Sequence, residues 1–113
     1  MENDRSLQAG YARVDITPDF SVGLDGYHNE ETRRSQGVRD PIYLTCIAVA
    51  EAGETILIFD ADLLSINDWL AGLIQQAVCP ATGIPADKVF CGATHTHSAP
   101  ANYIEESTCK LEW

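Results

Sequence analysis

The sequence predicts an α/β fold: a layered, mixed β-sheet containing one β-hairpin and one β-α-β crossover. Three observations carry that prediction. Residues 42–50 (IYLTCIAVA), 55–59 (TILIF) and 88–93 (KVFCGA) are short apolar runs, suited to strands buried on both faces. Only Glu51-Ala52-Gly53-Glu54 separates the first two runs, which makes them an antiparallel hairpin whose Gly53 can take a positive φ. Between the second and third lies the best helical pattern in the chain, so those two strands should be parallel and joined by a right-handed crossover.

The elements follow in order. Over 11–16 the chain alternates, with Ala12, Val14 and Ile16 on one face and Arg13 and Asp15 on the other, the period of a half-buried strand that Pro18 ends. Residues 18–41, punctuated by Gly23, Gly26 and Gly37, have little periodicity and read as one long loop, a length usually tied to function or disorder. The helix spans 66–78, with Ile66, Trp69, Leu70, Leu73, Ile74, Ala77 and Val78 on one stripe. Ser65 and Asp68 have capping-box spacing, and Pro80 with Gly83 should stop the helix. Residues 104–113 form a polar tail.

The 113 residues suit a single domain, and 45% hydrophobic with 21% charged residues is a globular balance. A net charge of -10 argues against nucleic acid and anionic membranes, both of which need clustered Lys and Arg. No basic residue occurs between Arg39 and Lys88. No apolar run is long enough for a transmembrane helix, and the polar start Met1-Glu2-Asn3-Asp4-Arg5 is unlike a signal peptide. The expected location is the cytoplasm, or outside the cell if an upstream segment is missing. Cys46, Cys79, Cys91 and Cys109 form no C-x-x-C pair, which excludes zinc-ribbon and thioredoxin readings. In this setting they are expected as free, largely buried thiols.

In an α/β sheet, ligands bind beyond the carboxyl ends of the parallel strands. Asp60 and Asp62 follow the run 55–59, and Thr94-His95-Thr96-His97-Ser98 follows the run 88–93, so the two clusters should share a rim. The i, i+2 spacing of His95 and His97 puts both imidazoles on one side of an extended chain, where they could share a zinc ion. Thr94, Thr96 and Ser98 could orient the rings. An H-x-H pair also occurs in idle surface turns, and Asp60 and Asp62 also suit turn caps, so spacing alone leaves both readings open. His28 has nothing in the sequence to fix it, and Ser98 lacks the base that a nucleophile requires.

Four ordered segments, covering about residues 10 to 103, carry a family resemblance. Ala93-Thr94-His95-Thr96-His97-Ser98-Ala99-Pro100 resembles the ATHTHSGP signature of the neutral/alkaline, non-lysosomal ceramidases and their bacterial relatives. Ala12-Arg13-Val14-Asp15-Ile16-Thr17-Pro18 is similar to the family's opening DITP strand, and Leu24-Asp25-Gly26-Tyr27 to its GY loop. Gly37-Val38-Arg39-Asp40-Pro41-Ile42-Tyr43 is similar to the GVHDPLY form of the bacterial relatives.

The resemblance implies the N-terminal portion of a larger α/β domain and a zinc-dependent hydrolase of carbon-nitrogen (amide) bonds. Its substrate would be a ceramide-like lipid or another small N-acyl amide. It further implies His95 as a zinc ligand, His97 as a catalytic group contacting substrate or transition state, and Asp62 as a further candidate ligand. Gly26, Tyr27 and Ser98 become candidate substrate contacts. Ala99 and Ala101-Asn102 stand where the family has glycines, and their added bulk is expected to narrow the approach to the metal. The family's other ligands, in a second histidine region with a glutamate and a tyrosine, lie far beyond residue 113, so the ligand set is incomplete and the chain reads as an inactive N-terminal piece. Two alternatives stand beside this reading. One is a non-catalytic binding module that kept the fold, the other a subunit that completes its site as a homo-oligomer through unpaired edge strands.

Overall fold

The computed structural model describes residues 6–28 and 32–101; the expected tail, 104–113, and Cys109 lie outside them. Four strands form one sheet in the order β1-β2-β3-β4, with β1 at Gln8–Asp15, β2 at Tyr43–Glu51, β3 at Glu54–Ala61 and β4 at Val89–Ala93. β1 and β2 are antiparallel, as are β2 and β3, whereas β3 and β4 are parallel. The sheet is therefore mixed, and it contains the expected hairpin and β-α-β unit. Ala52 and Gly53 both take positive φ, 52° and 80°, the backbone of a tight two-residue hairpin turn.

The helix α1, Asp68–Thr82, begins and ends later than its sequence pattern suggests. Asn67 caps it by accepting from Leu70 N at 2.9 Å, so the Ser65–Asp68 capping box is not the start. Pro80 lies inside the helix instead of stopping it. A proline in the last turn removes one N–H, and the nearby end lowers the cost of the break. Gly83, at φ 74°, ends the helix in the left-handed conformation and donates its N–H to Cys79 O. A short 3₁₀ turn, Ala86–Lys88, leads into β4, and Lys88 pairs with Glu54 at the start of β3.

α1 packs on one sheet face only. Ile74, Val78 and Cys79 meet a core of Leu57, Phe59 and Val89, joined by Leu44, Cys46, Ala48 and Cys91. A second cluster, Ala61, Leu63 and Ala99, lies toward the carboxyl end of β3, with Ile42, Ile66 and Leu70 around it. The expectation that the central strands are buried on both faces is not met. Tyr11, Ile47, Ile58 and Phe90 are paired in register across all four strands and are 68%, 42%, 38% and 52% exposed. A continuous apolar run reads the same whether both faces are covered or one is left open. β1 is exposed along its whole length, against the expected half-burial of Ala12 and Val14, because α1 sits over β3 and β4, whereas Ile16, just past the strand, is half-buried as expected.

Among the described residues, Cys46, Cys79 and Cys91 are free thiols beside the main core. Burial pushes the Cys46 and Cys91 thiols above their ordinary value, with Cys46 adding to the shift at Cys91. The raised folded-state value means the thiol form is favoured by folding. That contribution is complete below the unfolded thiol value and is lost as pH rises through the folded one. At pH 8 both thiols should therefore react with an aromatic disulfide reagent several-fold more slowly than in denaturant. Equal rates in the two conditions would contradict this packing.

Candidate functional site

The site is assembled where β3 and β4 end. Parallel pairing continues past both strands: Thr94 N donates to Ala61 O at 2.9 Å and His95 N to Leu63 O at 3.0 Å. His95 then turns sharply, with φ at 67°, a left-handed conformation that costs a non-glycine residue about 1–3 kcal/mol. The turn brings His95 Nδ1 to 2.8 Å from Leu64 O. A carbonyl only accepts, so Nδ1 carries a proton, and in the neutral form of the ring the lone pair lies on Nε2. This is the arrangement that second-sphere contacts impose on metal-binding histidines.

His97 meets His95 edge to face, with ring centroids 5.0 Å apart at 85°. The loop of residues 18–41 supplies the other walls of the pair. Tyr27 contacts the His97 ring at 5.1 Å and 63°, and Gly26, at φ 117°, lies directly against it. A Cβ at Gly26 would stand 2.5 Å from His97 Nδ1. That nitrogen is buried and has no hydrogen-bond partner among the described residues, which ordinarily costs about 1–3 kcal/mol.

Despite its lack of hydropathy periodicity, the loop is an ordered substructure over its described residues. Val22 N donates to Ser35 Oγ, Ser35 N to Val22 O, and Leu24 N to Arg33 O, zipping 22–24 against 33–35. The zipped segment is then stitched to the histidine strand: Asp25 N donates to Ala99 O at 3.0 Å and Ala101 N to Gly23 O at 2.8 Å. Arg33 extends its guanidinium over the Tyr27 ring, 4.6 Å from the centroid, and donates from Nη1 to Asp25 O at 3.2 Å. Sequence reading missed Arg33. The only available signal was a basic residue six positions after Tyr27 in an acidic chain.

The remaining candidates are placed differently. Asp60 lies within β3, paired with Thr45 and Gly92, rather than beyond the strand. Its side chain alternates onto the open face with Ile58, so it is not brought to the rim. Asp62 does follow β3, but its Oδ2 accepts from Tyr43 N at 3.0 Å while its own N–H donates to Tyr43 O. It thereby ties the start of β2 to the end of β3. Ser98 and Thr96 alternate away from the histidines and, with Asp62, line one wall of an open cleft of about 1050 Å³ under the loop. Ala99 is 1% exposed and packs with Ala61 and Leu63. Its methyl is thus taken up by the core, against the expectation that it narrows the metal approach. Asn102 lies outside the described residues.

Zinc fits these residues in donor chemistry and not in number. Two imidazoles are adjacent and one has a fixed tautomer, yet a zinc site needs three or four ligands. Among the described residues, no group of three metal-binding side chains exists.

The same fold occurs in a solved structure of neutral ceramidase from Pseudomonas aeruginosa. It matches with a TM-score of 0.78 and 24% identity over 88% of this chain and 16% of that chain. A structure of a ceramidase complexed with C2 matches with a TM-score of 0.78 and 24% identity over the same shares. The resemblance seen in the motifs is therefore matched by the fold, and the chain spans about 16% of the length of the structures it matches. No family model matches the chain, and no curated protein does.

Proposed function

We propose that this chain is the N-terminal, histidine-bearing piece of a zinc-dependent amide hydrolase of the neutral ceramidase type, inactive by itself. Its substrate class would be N-acyl amides, including ceramide-like lipids. The observation that carries this reading is the tautomer-locked His95 inside the A-T-H-T-H-S segment, at the carboxyl ends of parallel strands in a fold shared with neutral ceramidase.

When bound, zinc would supply Lewis-acid polarisation of the amide carbonyl and a more acidic water. This chain's residues would do the following. His95 would offer Nε2 as a metal ligand while Leu64 O holds its Nδ1 proton. His97, with Nδ1 covered by the Gly26–Tyr27 loop, would present its other nitrogen to the substrate. Gly26 and Tyr27 would shape the wall beside it, and Ser98 would face substrate from the adjoining cleft. Asp62, candidate ligand in the sequence reading, is committed to Tyr43 N and serves here as a structural tie. The count of ligands also favours a second reading, a binding module that kept the fold without the chemistry.

Incubation of the chain with zinc and a fluorogenic N-acyl amide should give no turnover above the zinc-only control. Sustained turnover that disappears in His97→Ala would show a complete site and overturn the inactivity of the isolated chain.

A further inference from the structure

We propose that Arg33 is a positioning residue for the histidine pair, acting through Tyr27. The inference rests on the hydrolase reading only for what the histidines do; the geometry stands without it. Tyr27 is 60% exposed, so packing alone leaves its ring free to leave His97. Arg33 limits that freedom by its own contact with the ring. Its guanidinium lies over the Tyr27 ring, 4.6 Å from the centroid, and the same ring meets the His97 ring in an edge-type contact at 5.1 Å and 63°. His97 in turn stands 5.0 Å from His95, giving one continuous row, Arg33–Tyr27–His97–His95.

Arg33 is itself held at both ends. Its backbone carbonyl accepts from Leu24 N at 2.8 Å, and its Nη1 donates to Asp25 O at 3.2 Å. The planar fork therefore has a fixed origin and a fixed heading, which a flexible lysine stem would only partly reproduce. A cation over an exposed aromatic ring favours the held conformer by about two- to five-fold. With Arg33 in place the Tyr27 ring is a wall, and without it a rotor.

The test uses the full 113-residue chain, isotopically labelled, without metal or substrate. Nuclear Overhauser contacts between the Tyr27 and His97 rings report the row, and backbone contacts between Leu24 and Pro100, which form an antiparallel bridge between the loop and the histidine segment, report loop docking. In Arg33→Met, which keeps the stem and loses the charge, the ring contacts should fall by half or more while the Leu24–Pro100 contacts persist. In Arg33→Lys, which keeps the cation without the fork, the loss should be clearly smaller. Wild-type ring contacts in Arg33→Met would overturn the proposal, as would equal losses in both variants. Loss of the Leu24–Pro100 contacts in Arg33→Met would also overturn it, because Arg33 would then be docking the loop rather than positioning the ring. None of these outcomes depends on zinc or hydrolysis, so a failed hydrolase reading would remain distinguishable.

Discussion

Leu63→Ala is expected to lower the stability of the domain by about 2–5 kcal/mol, the range for truncating a fully buried leucine. Leu63 is 1% exposed and sits between Ala61 and Ala99, two residues too small to fill the space it would vacate. Rotamer changes in Ile42, Ile66 or Leu70 could recover only part of that volume. A small domain has about 5–15 kcal/mol in total, so the melting temperature should fall by roughly 10 °C or more. The same position bears on the site: Leu63 O accepts from His95 N, and the next carbonyl, Leu64 O, holds the His95 ring. Leu73→Ala is a useful control, since Leu73 is 41% exposed on α1 and should cost far less. Equal shifts in the two variants, by thermal circular dichroism, would refute this account of the core.

Gly26→Ala should act locally and strongly. At φ 117° an alanine is strained by about 1–3 kcal/mol, before any contact is counted. Its Cβ would also stand 2.5, 2.7 and 2.9 Å from Nδ1, Cγ and Cβ of His97. The last of these is fixed to the main chain, so a rotation of the ring cannot clear the overlap. The loop should lift from the strand instead, which limits the global loss. The sensitive readout is hydrogen exchange at Asp25 N and Ala101 N, which donate across that junction to Ala99 O and Gly23 O. Protection there should fall at least about tenfold, the equivalent of 1.4 kcal/mol, while β3 amides stay protected. Unchanged protection at both amides would show that the glycine is not required.

Those two substitutions mark the boundary of what hydropathy could reveal. The hairpin, the crossover and α1 were legible because each has a local signature: a four-residue gap, a 3.6-residue stripe, a β-rich run. The open sheet face was not, since Ile47, Ile58 and Phe90 read like core residues until the position of α1 is known. Nor was Pro80 inside the helix, whose placement depends on how many turns follow it. The loop of 18–41 had no period because backbone pairing by Ser35 and Arg33, rather than an apolar face, orders it. Within the site, the histidine spacing and its strand-end location were readable. The left-handed backbone of His95 and its bond to Leu64 O were not, because both follow from where two distant strands stop.

The measurement that bears most directly on the central claim is a zinc titration of the chain beside its His95→Asn variant. Asparagine tolerates the left-handed backbone at that position, so the substitution removes the imidazole with little added strain. Zinc binding by the native chain should be weak, removed by a competing chelator on gel filtration and reduced further in His95→Asn. Equimolar zinc that survives the chelator would contradict it by showing a complete ligand set, and weak binding that is indifferent to His95→Asn would contradict the assignment of the ligand.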